Sequence, residues 1–336
     1  MIKELFLGID VGSVSTNFAL IDVEGKVLEK LYIRTNGKPI EAVQKGLAVL
    51  QSKAQGASVI GAGTTGSGRQ LAKVMIGADI MKNEITAHAT AACHVVPDVK
   101  TILEIGGQDS KIIFVEDGIV CDFAMNSVCA AGTGSFLDRQ ASRLNIPIEE
   151  FGSWALRSSS PVRIAGRCAV FAESDMISKQ QSGHCIEDIV AGLCEALVRN
   201  YLTNLAKGKE IKGPILFQGG VAANSGILAA FEKSLKQKII IPQHFDVMGA
   251  YGAALLAKDE ILAGRLTCFA GFENLCHQFS AESFICSGCA NMCEVVRIKA
   301  DQTYAANWGD RCGKWGSASA AGKEEKADLE IQAVPS

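Results

Sequence analysis

The sequence predicts an α/β fold with two related domains, followed by a small cysteine-rich segment. The first observation is a weak internal duplication between residues 5–33 and residues 101–126. Each copy reads as an apolar strand that ends in an acidic residue and then glycine, a second strand, an acidic–glycine turn and a third strand. Two copies of such a unit indicate two related α/β domains. The second observation is that six of the 12 cysteines follow residue 265.

Helical and strand patterns fill the sequence around the two copies. In residues 40–53, the apolar side chains of Ile40, Val43, Leu47 and Leu50 recur at helical spacing. We predict further helices at residues 136–144, 186–205, 227–235 and 248–262, and strands at 214–218 and 238–241. The predicted division of the chain is a first domain at 1–100, a second at 101–265, the cysteine-rich segment at 266–317 and a flexible tail at 318–336.

Composition and charge narrow the function classes. Hydrophobic residues make up 48% of the chain and charged residues 21%, which is typical of a globular protein. The formal net charge of −3 and the lack of a lysine- or arginine-rich run argue against a nucleic-acid partner. No apolar run has the roughly 18 to 20 residues that span a bilayer, and no signal-peptide pattern opens the sequence. We therefore expect a cytoplasmic protein without a membrane partner, in which metal ligation explains some cysteines better than disulfides do.

Three glycine-rich turns have the composition of a phosphate-binding site: GIDVGSVST at residues 8–16, EIGGQDS at 104–110 and FQGGVAANSG at 217–226. Glycine lets backbone N–H groups approach a phosphate, and Asp10 is suited to hold Mg²⁺ because hard cations prefer carboxylate oxygen. Taken singly, the first turn is better explained as an ordinary hairpin, and the third also fits a close strand–helix crossing. None is a Walker A or G-x-G-x-x-G motif. The candidate nucleotide-binding residues are Asp10, Gly12, Ser13, Val14, Ser15, Gly106, Gly107, Gly132, Gly219, Gly220 and Asn224.

With three such turns at these separations, the sequence resembles the acetate kinase, sugar kinase, Hsp70 and actin superfamily. The first two turns look like its two phosphate motifs, and GGVAANSG looks like its adenosine motif. The resemblance implies two ribonuclease-H-like domains around a cleft that binds ATP or ADP with Mg²⁺, and a hinge motion coupled to the nucleotide. The candidate catalytic residues are Glu104, Gln108 and Asp109. The superfamily's second motif usually opens with aspartate, so it stays open whether Glu104 or Asp109 orients the attacking water.

Two cysteines of the second domain precede predicted helices. Cys129 lies in NSVCAAGTGSFLD, and Cys168 lies between a predicted strand and a predicted helix at about residues 173–179. A helix dipole and free N–H groups stabilise a thiolate at a helix N-terminus. A [4Fe–4S] cluster takes four thiolates, which a two-fold dimer would supply from two per chain. On spacing alone, two unconnected buried cysteines explain the pattern better.

The segments around Cys129 and Cys168 closely resemble the cluster-binding segments of the 2-hydroxyacyl-CoA dehydratase activators. Those proteins are similar to the ATPase subunits of benzoyl-CoA reductases and to the reductase partners of double-cubane cluster proteins. The resemblance covers about residues 3–265 and includes NEITAHA at 83–89. It implies a homodimer that holds one [4Fe–4S] cluster through Cys129 and Cys168. It also implies that ferredoxin or flavodoxin reduces the cluster, and that ATP hydrolysis drives one electron into a dehydratase or a double-cubane reductase.

The carboxy-terminal segment departs from the short activators. CSGCANMC at residues 286–293, followed by a cysteine in GDRCGKW, looks like a segment of longer family members. Four cysteines at this spacing suit a second Fe–S cluster or a structural Zn²⁺, and both readings stay open. The candidate ligands are Cys286, Cys289, Cys293 and Cys312.

Two other functions compete with ATP-driven electron donation. A small-molecule kinase of the same superfamily would need an acceptor pocket with a catalytic aspartate, which the sequence does not identify. A nucleotide-binding redox sensor would use the cluster without driving a partner enzyme. Turnover of ATP without a phosphorylated product would count against the kinase.

Overall fold

The computed structural model of the chain describes residues 3–54, 56–126, 129–272 and 277–315. The predicted tail at 318–336 lies outside the described residues. In the described part, two five-stranded sheets and one three-stranded sheet are accompanied by nine α-helices. None of the described helices has the length and apolar character needed to cross a bilayer.

The first two sheets repeat one topology, which confirms the predicted duplication and the α/β class. The first consists of β1 (Lys3–Val11), β2 (Ser15–Ile21), β3 (Val27–Arg34), β4 (Ala57–Thr65) and β5 (Ile80–Met81). The second consists of β6 (Thr101–Ile105), β7 (Ser110–Glu116), β8 (Ile119–Asn126), β9 (Ile215–Gln218) and β10 (Ile239–Ile240). Their orders, β3-β2-β1-β4-β5 and β8-β7-β6-β9-β10, correspond strand for strand, with three antiparallel strands followed by two parallel ones.

The acidic–glycine turns form the hairpins that the sequence predicts. In the β7–β8 turn, Asp117 and Gly118 both have positive φ values, 51° and 78°. This pair of left-handed residues suits a two-residue hairpin, because its twist matches that of the flanking strands. The corresponding β2–β3 turn has Gly25 at a φ of 87°.

The helices follow the predicted periodicity. Predicted residues 186–205 and 248–262 coincide with two helices, and the helices predicted at 40–53, 136–144 and 227–235 begin one or two residues earlier in the structure. The helices are α1 (Pro39–Lys53), α2 (Arg69–Ile76), α3 (Glu84–Val95), α4 (Gly134–Leu144), α5 (Ile148–Leu156), α6 (Ala169–Gln181), α7 (Ile186–Leu205), α8 (Ser225–Leu235) and α9 (Met248–Leu262).

Helix α9 packs on the first sheet although it follows the second sheet in sequence. A Cβ on Gly8 of β1 would lie 1.8 Å from the Ala250 carbonyl oxygen, and one on Gly63 of β4 would lie 2.1 Å from that of Ala253. The backbones therefore touch, which only glycine permits. This contact returns the chain to the first domain and places the start of α9 beside the end of β1.

The third sheet lies on the first domain. It consists of β11 (Phe279–Ile285), β12 (Glu294–Ala300) and β13 (Thr303–Trp308), paired as an antiparallel meander. Ile298 is fully buried in the apolar cluster of the first domain, and Val296 and Trp308 pack against the same cluster. The cysteine-rich segment is thus a small sheet with one face fixed to the first domain.

Candidate functional site

A cleft of about 580 Å³ lies between the two domains, where β1, β6 and β9 end. The candidate catalytic residues Glu104, Gln108 and Asp109 line it. Gly132 does not line it, because this residue is buried beside Asn200. The other ten candidate nucleotide-binding residues all line the cleft: Asp10, Gly12, Ser13, Val14, Ser15, Gly106, Gly107, Gly219, Gly220 and Asn224.

The first glycine-rich turn is where Asp10 lies in close contact with two glycines. The Gly12 N–H donates to the Ser15 carbonyl oxygen at 2.9 Å, which closes the turn between β1 and β2. A Cβ on Gly249 would lie 2.1 Å from Asp10 Oδ2, and one on Gly66 would lie 2.4 Å from Asp10 Oδ1. Burial, and next the charge of Glu84, raise the pKa of Asp10 to about 7. This carboxylate is therefore positioned by glycines on both sides and favours a cationic neighbour.

The second turn carries a buried ion network. Lys111 Nζ lies 2.9 Å from Glu84 Oε2, 3.1 Å from Glu104 Oε2 and 2.8 Å from Asp109 Oδ2. Glu84 belongs to α3 of the first domain, whereas the other three residues belong to the second domain, so the network bridges the cleft. Burial alone would lower the pKa of Lys111, but the carboxylates of Glu104, Asp109 and Glu84 raise it above its usual value. The ammonium is therefore charged at neutral pH.

The cleft is strongly acidic. Among the described residues that line it, seven are aspartate or glutamate and two, Arg34 and Lys111, are arginine or lysine. Burial raises the pKa of Glu104 to about 8, although the Lys111 ammonium opposes the shift. Burial also lowers the pKa of His88 to about 3, so this imidazole adds no positive charge. A divalent cation would offset the acidic excess, and carboxylate oxygens are the donors that Mg²⁺ prefers.

The third turn offers unused polar groups to the cleft. Gly219, at a φ of 88°, donates its N–H to the Phe245 carbonyl oxygen at 2.8 Å. Asn224 caps α8, since its Oδ1 accepts from the Ile227 N–H at 3.0 Å. Within the described residues, the buried Asn224 Nδ2 has no hydrogen-bond partner, and the same holds for Asn17 Oδ1 across the cleft. Such buried groups normally find partners, so they indicate a ligand position.

Several cleft residues are absent from the sequence prediction. The segment NEITAHA contains Glu84 and His88, but the sequence pattern gives them no role. Lys111 could have been identified from the sequence, because this charged residue stands near the start of a mostly apolar strand, SKIIFVE. The remaining polar residues of this kind are Asn17, Tyr32, Arg34, Ser67, Asp138, Glu149 and Asp246.

Cys129 and Cys168 lie close together at helix N-termini. Cys129 Sγ lies 3.8 Å from the carbonyl oxygen of Arg167, the residue before Cys168. Cys129 precedes a short 3₁₀ turn at Ala130–Gly132 that leads into α4, and Cys168 is the residue immediately before α6. The Asn126 side chain fixes the Cys129 backbone, accepting from its N–H at 2.9 Å and donating to its carbonyl at 2.8 Å.

The sequence prediction around Cys168 is wrong in two respects. No strand precedes Cys168, and α6 begins at Ala169 instead of about residue 173. The segment's backbone groups bond to helices and not to a sheet: the Ala165 N–H donates to Asp175 Oδ2, and the Gly166 carbonyl accepts from Asn200 Nδ2. The apolar alternation in PVRIAG therefore reflects a loop packed on α6 and α7.

The second glycine turn is bonded directly to the helix that follows Cys129. The Gly134 N–H donates to the Gly106 carbonyl oxygen at 2.9 Å, and the Ser135 N–H donates to that of Gly107 at 2.8 Å. Ser135 Oγ also donates to the Gly107 carbonyl at 2.6 Å. These N–H groups are among the first of α4, which have no partner within the helix. The turn that lines the cleft therefore caps the helix beside the thiols.

Comparison with known proteins agrees with this geometry. Residues 7–257 match the BadF/BadG/BcrA/BcrD ATPase family. The chain belongs to this family. It is 36% identical to the 2-hydroxyisocaproyl-CoA dehydratase activator of Clostridioides difficile over 236 residues, which cover 70% of this chain and 81% of the relative. It is 35% identical to the (R)-2-hydroxyglutaryl-CoA dehydratase activating ATPase of Acidaminococcus fermentans over 255 residues, which cover 75% and 96%.

A solved structure extends the agreement to the fold of the BadF/BadG/BcrA/BcrD family. The activator of the 2-hydroxyisocaproyl-CoA dehydratase from Clostridium difficile, solved with bound ADPNP, matches this chain with a TM-score of 0.70. The sequences are 31% identical, and the match covers 77% of this chain and 96% of that one. The family match ends at residue 257, before β11, so the third sheet lies outside it.

Proposed function

We propose that this protein hydrolyses ATP to deliver a low-potential electron from a [4Fe–4S] cluster to a partner enzyme. The relatives that support this proposal are activators of 2-hydroxyacyl-CoA dehydratases, and one was solved with an ATP analogue. The observation that carries it for this chain is the pair of hydrogen bonds from Gly134 and Ser135 to the Gly106–Gly107 turn. These bonds join a nucleotide cleft to a thiol site.

Different residues of the cleft would bind the phosphates, hold Mg²⁺ and orient the attacking water. The glycine turns would approach the phosphates through their backbone N–H groups. Asp10 would hold Mg²⁺ together with those phosphates, since Mg²⁺ commonly binds one or two carboxylates plus phosphate oxygens. Glu104 or Asp109 would orient the attacking water, with Gln108 beside them. Lys111 would keep these carboxylates fixed while the nucleotide enters.

The thiols fit a cluster that two subunits share. Cys129 and Cys168 are the donors, and thiolates are the usual ligands of iron–sulfur clusters. Within the described residues, no three Cys, His, Asp or Glu side chains are gathered at metal-binding distance. A two-fold dimer would supply four thiols. Val170 and Phe171, 68% and 66% exposed, directly follow Cys168 and offer apolar surface that a second subunit would cover. A [4Fe–4S] cluster held there would supply the electron.

Partners follow from this role. Ferredoxin or flavodoxin would reduce the cluster, and a 2-hydroxyacyl-CoA dehydratase-like enzyme or a double-cubane reductase would accept the electron. The nucleotide would act on the thiol site through α4, because the Gly106–Gly107 turn and the first turn of α4 cannot separate without losing hydrogen bonds.

The test compares three alanine variants purified without air. Cys129→Ala and Cys168→Ala should lose the iron and the cluster absorbance and weaken the dimer, while Mg-ATP binding persists. Cys185→Ala is the matched control, because Cys185 also precedes a helix and is exposed. Normal iron in either site variant would contradict the ligand assignment. A phosphorylated product from ATP would favour the kinase, and partner reduction that persists without ATP would contradict coupling.

A further inference from the structure

The four cysteines of the carboxy-terminal segment lie at one end of the third sheet. β11 ends at Ile285, β12 begins at Glu294, and β13 ends at Trp308. In an antiparallel meander these three strand termini lie at the same end of the sheet. Three of the cysteines lie in the β11–β12 connection and the fourth lies four residues beyond β13: Cys286, Cys289, Cys293 and Cys312.

Backbone hydrogen bonds draw the β11–β12 connection into a compact loop. The Cys286 N–H donates to the Cys293 carbonyl oxygen at 2.8 Å, and the Met292 N–H donates to that of Cys289 at 3.2 Å. Met292 has a φ of 42°, in the left-handed region that non-glycine residues rarely adopt. The loop therefore folds its cysteines back on one another.

The loop after β13 packs against the same end of the sheet. A Cβ on Gly309, at a φ of 110°, would lie 2.4 Å from the Glu294 carbonyl oxygen, next to Cys293. Trp315 forms an edge-to-face ring contact with Phe284 at 4.9 Å between centroids, and the Trp315 backbone N–H donates to Asp310 Oδ2 at 3.0 Å. Cys312 belongs to this loop and is thereby held at the end of the sheet where the other three thiols lie.

The apolar core at this end of the sheet is small. The buried apolar residues of its cluster are Cys286, Val295 and Trp315, with Phe284 packed beside them. Such a small core contributes little against the entropy of ordering two loops, and segments of this size commonly depend on a metal or disulfide. A bound metal ion would supply the missing stabilisation.

We propose that Cys286, Cys289, Cys293 and Cys312 form a tetrathiolate Zn²⁺ site that fastens the two loops of the third sheet. The C-x2-C and C-x3-C spacings both fall in the range of structural zinc sites. The four thiols are not yet at metal-binding distance, so the ion would gather them, and the exposed Cys289 and Cys312 have room to turn. Binding would release the thiol protons to water.

The surroundings suit the charge of such a site. Four thiolates and one Zn²⁺ carry a net charge of −2, and cationic side chains beside thiolates stabilise them. A Cβ on Gly288 would lie 3.5 Å from Cys286 Sγ and 3.6 Å from Lys314 Nζ, so the thiol and the ammonium both border Gly288. Arg311 precedes Cys312 on the second loop.

The position of the sheet favours a structural ion over a redox cluster. The sheet packs on the first domain through Ile298, whereas Cys129 and Cys168 precede helices whose buried residues belong to the second domain's core. A zinc ion needs no electron path, so it fits this placement without further contacts.

The experiment measures zinc and iron in the anaerobically purified full chain and in serine variants. Wild-type protein should contain about one zinc per chain. Cys289→Ser and Cys312→Ser should lose it while the iron of the proposed bridging cluster stays unchanged. Cys268→Ser is the matched control and should keep the zinc, because Cys268 is equally exposed but its N–H is fixed to Asp79, away from the four cysteines.

A second measurement, limited proteolysis, tests whether the rest of each variant is folded. Limited proteolysis should cut the two serine variants, and chelator-treated wild type, after about residue 264 and release an intact core that still binds nucleotide. Wild type without zinc, zinc retained in both site variants, or a chelator-treated chain as resistant as the native one would overturn the proposal. Iron and sulfide in place of zinc, lost from the same variants, would overturn it as well and identify a second cluster. Because zinc and iron are counted separately, failure here is distinct from failure of the proposed electron-transfer function.

Discussion

Replacing Lys111 by methionine tests the buried network that bridges the cleft. The side chain of Lys111 is 3% exposed and that of Glu104 is 5% exposed, so their pair has little access to water. Asp109 and Glu84 are more open, at 33% and 24%. Methionine keeps most of the volume of lysine and removes only the charge, so the change isolates the electrostatic part.

The expected loss is large because the carboxylates remain. Removing one partner of a buried ion pair costs about 3–5 kcal/mol, since it leaves an uncompensated buried charge. We apply this range to Glu104 alone, because water and the protein surface relieve the two more exposed carboxylates. At pH 9 Glu104 is largely ionised in the wild type, so the free energy of unfolding of Lys111→Met, measured there by urea titration without nucleotide, should fall by about this amount.

The loss should also depend on pH. Glu104 has a pKa of about 8 in the folded chain against its usual 4.5. Between these values the folded state holds a proton that the unfolded state has released, so this group's contribution to stability decreases as pH rises through that window. Lys111 lowers the pKa of Glu104, and its removal extends the window upward. The difference between wild type and variant should therefore be greater at pH 9 than at pH 6.

Lys53→Met is the control for this measurement. Lys53 forms a 2.6 Å ion pair with Glu29, but both side chains are exposed, at 41% and 36%. Exposed pairs contribute about 0–1 kcal/mol, so the control should lie near wild type at both pH values. If Lys111→Met also lay within about 1 kcal/mol of wild type at pH 9, or lost the same amount at pH 6 and pH 9, the buried-network argument would be refuted.

Three further predictions concern the cleft and its neighbours. Ser135→Ala removes one hydrogen bond to Gly107, so ATP turnover and iron content should persist while partner reduction per ATP falls; unchanged yield would separate this bond from coupling. Gly249→Ala places a methyl group 2.1 Å from Asp10 Oδ2, and overpacking of about 1–3 kcal/mol predicts a 5- to 150-fold weaker Mg-ADP affinity by calorimetry; equal affinity would contradict the position assigned to Asp10. Asn83→Ala removes the cap that accepts from the Thr86 N–H and should cost about 1 kcal/mol in urea titration, and no loss would contradict the capping role.

The sequence predicts the fold well because the duplication is local. Each copy is a continuous run of strands and hairpins, so spacing alone defines β1 to β3 and β6 to β8. The predicted helices at 186–205 and 248–262 coincide with α7 and α9, because the first has a long apolar stripe at helical spacing and the second is a continuous alanine- and glycine-rich run. The packing of α9 on the first sheet has no such local signal, since it depends on glycines in β1 and β4 that are distant in sequence.

The charges of the site could be predicted only in part for a similar reason. Glu84 and Lys111 are 27 positions apart and belong to different domains, so their contact exists only after the domains fold together. Asp10 and Glu104 are predictable because each is the penultimate residue of a strand and stands two positions before a glycine. Their raised pKa values are not, because burial by surrounding elements causes them. Gly132 differs from these two residues, since it belongs to a glycine-rich run but packs against Asn200 and does not line the cleft.

The connection between cleft and thiols is short enough to act as a direct mechanical link. The Gly106–Gly107 turn accepts the first N–H groups of α4, so movement of the turn must carry α4 with it or break both hydrogen bonds and leave two half-buried donors without these partners. Cys129 lies one 3₁₀ turn before α4 and would follow that movement. Cys168 is held differently, because Asn200 of α7 donates to the Gly166 carbonyl and α7 is buried in the core of the second domain. A shift of the turn should therefore displace Cys129 relative to Cys168, which changes the geometry and exposure of any centre that the two thiols share.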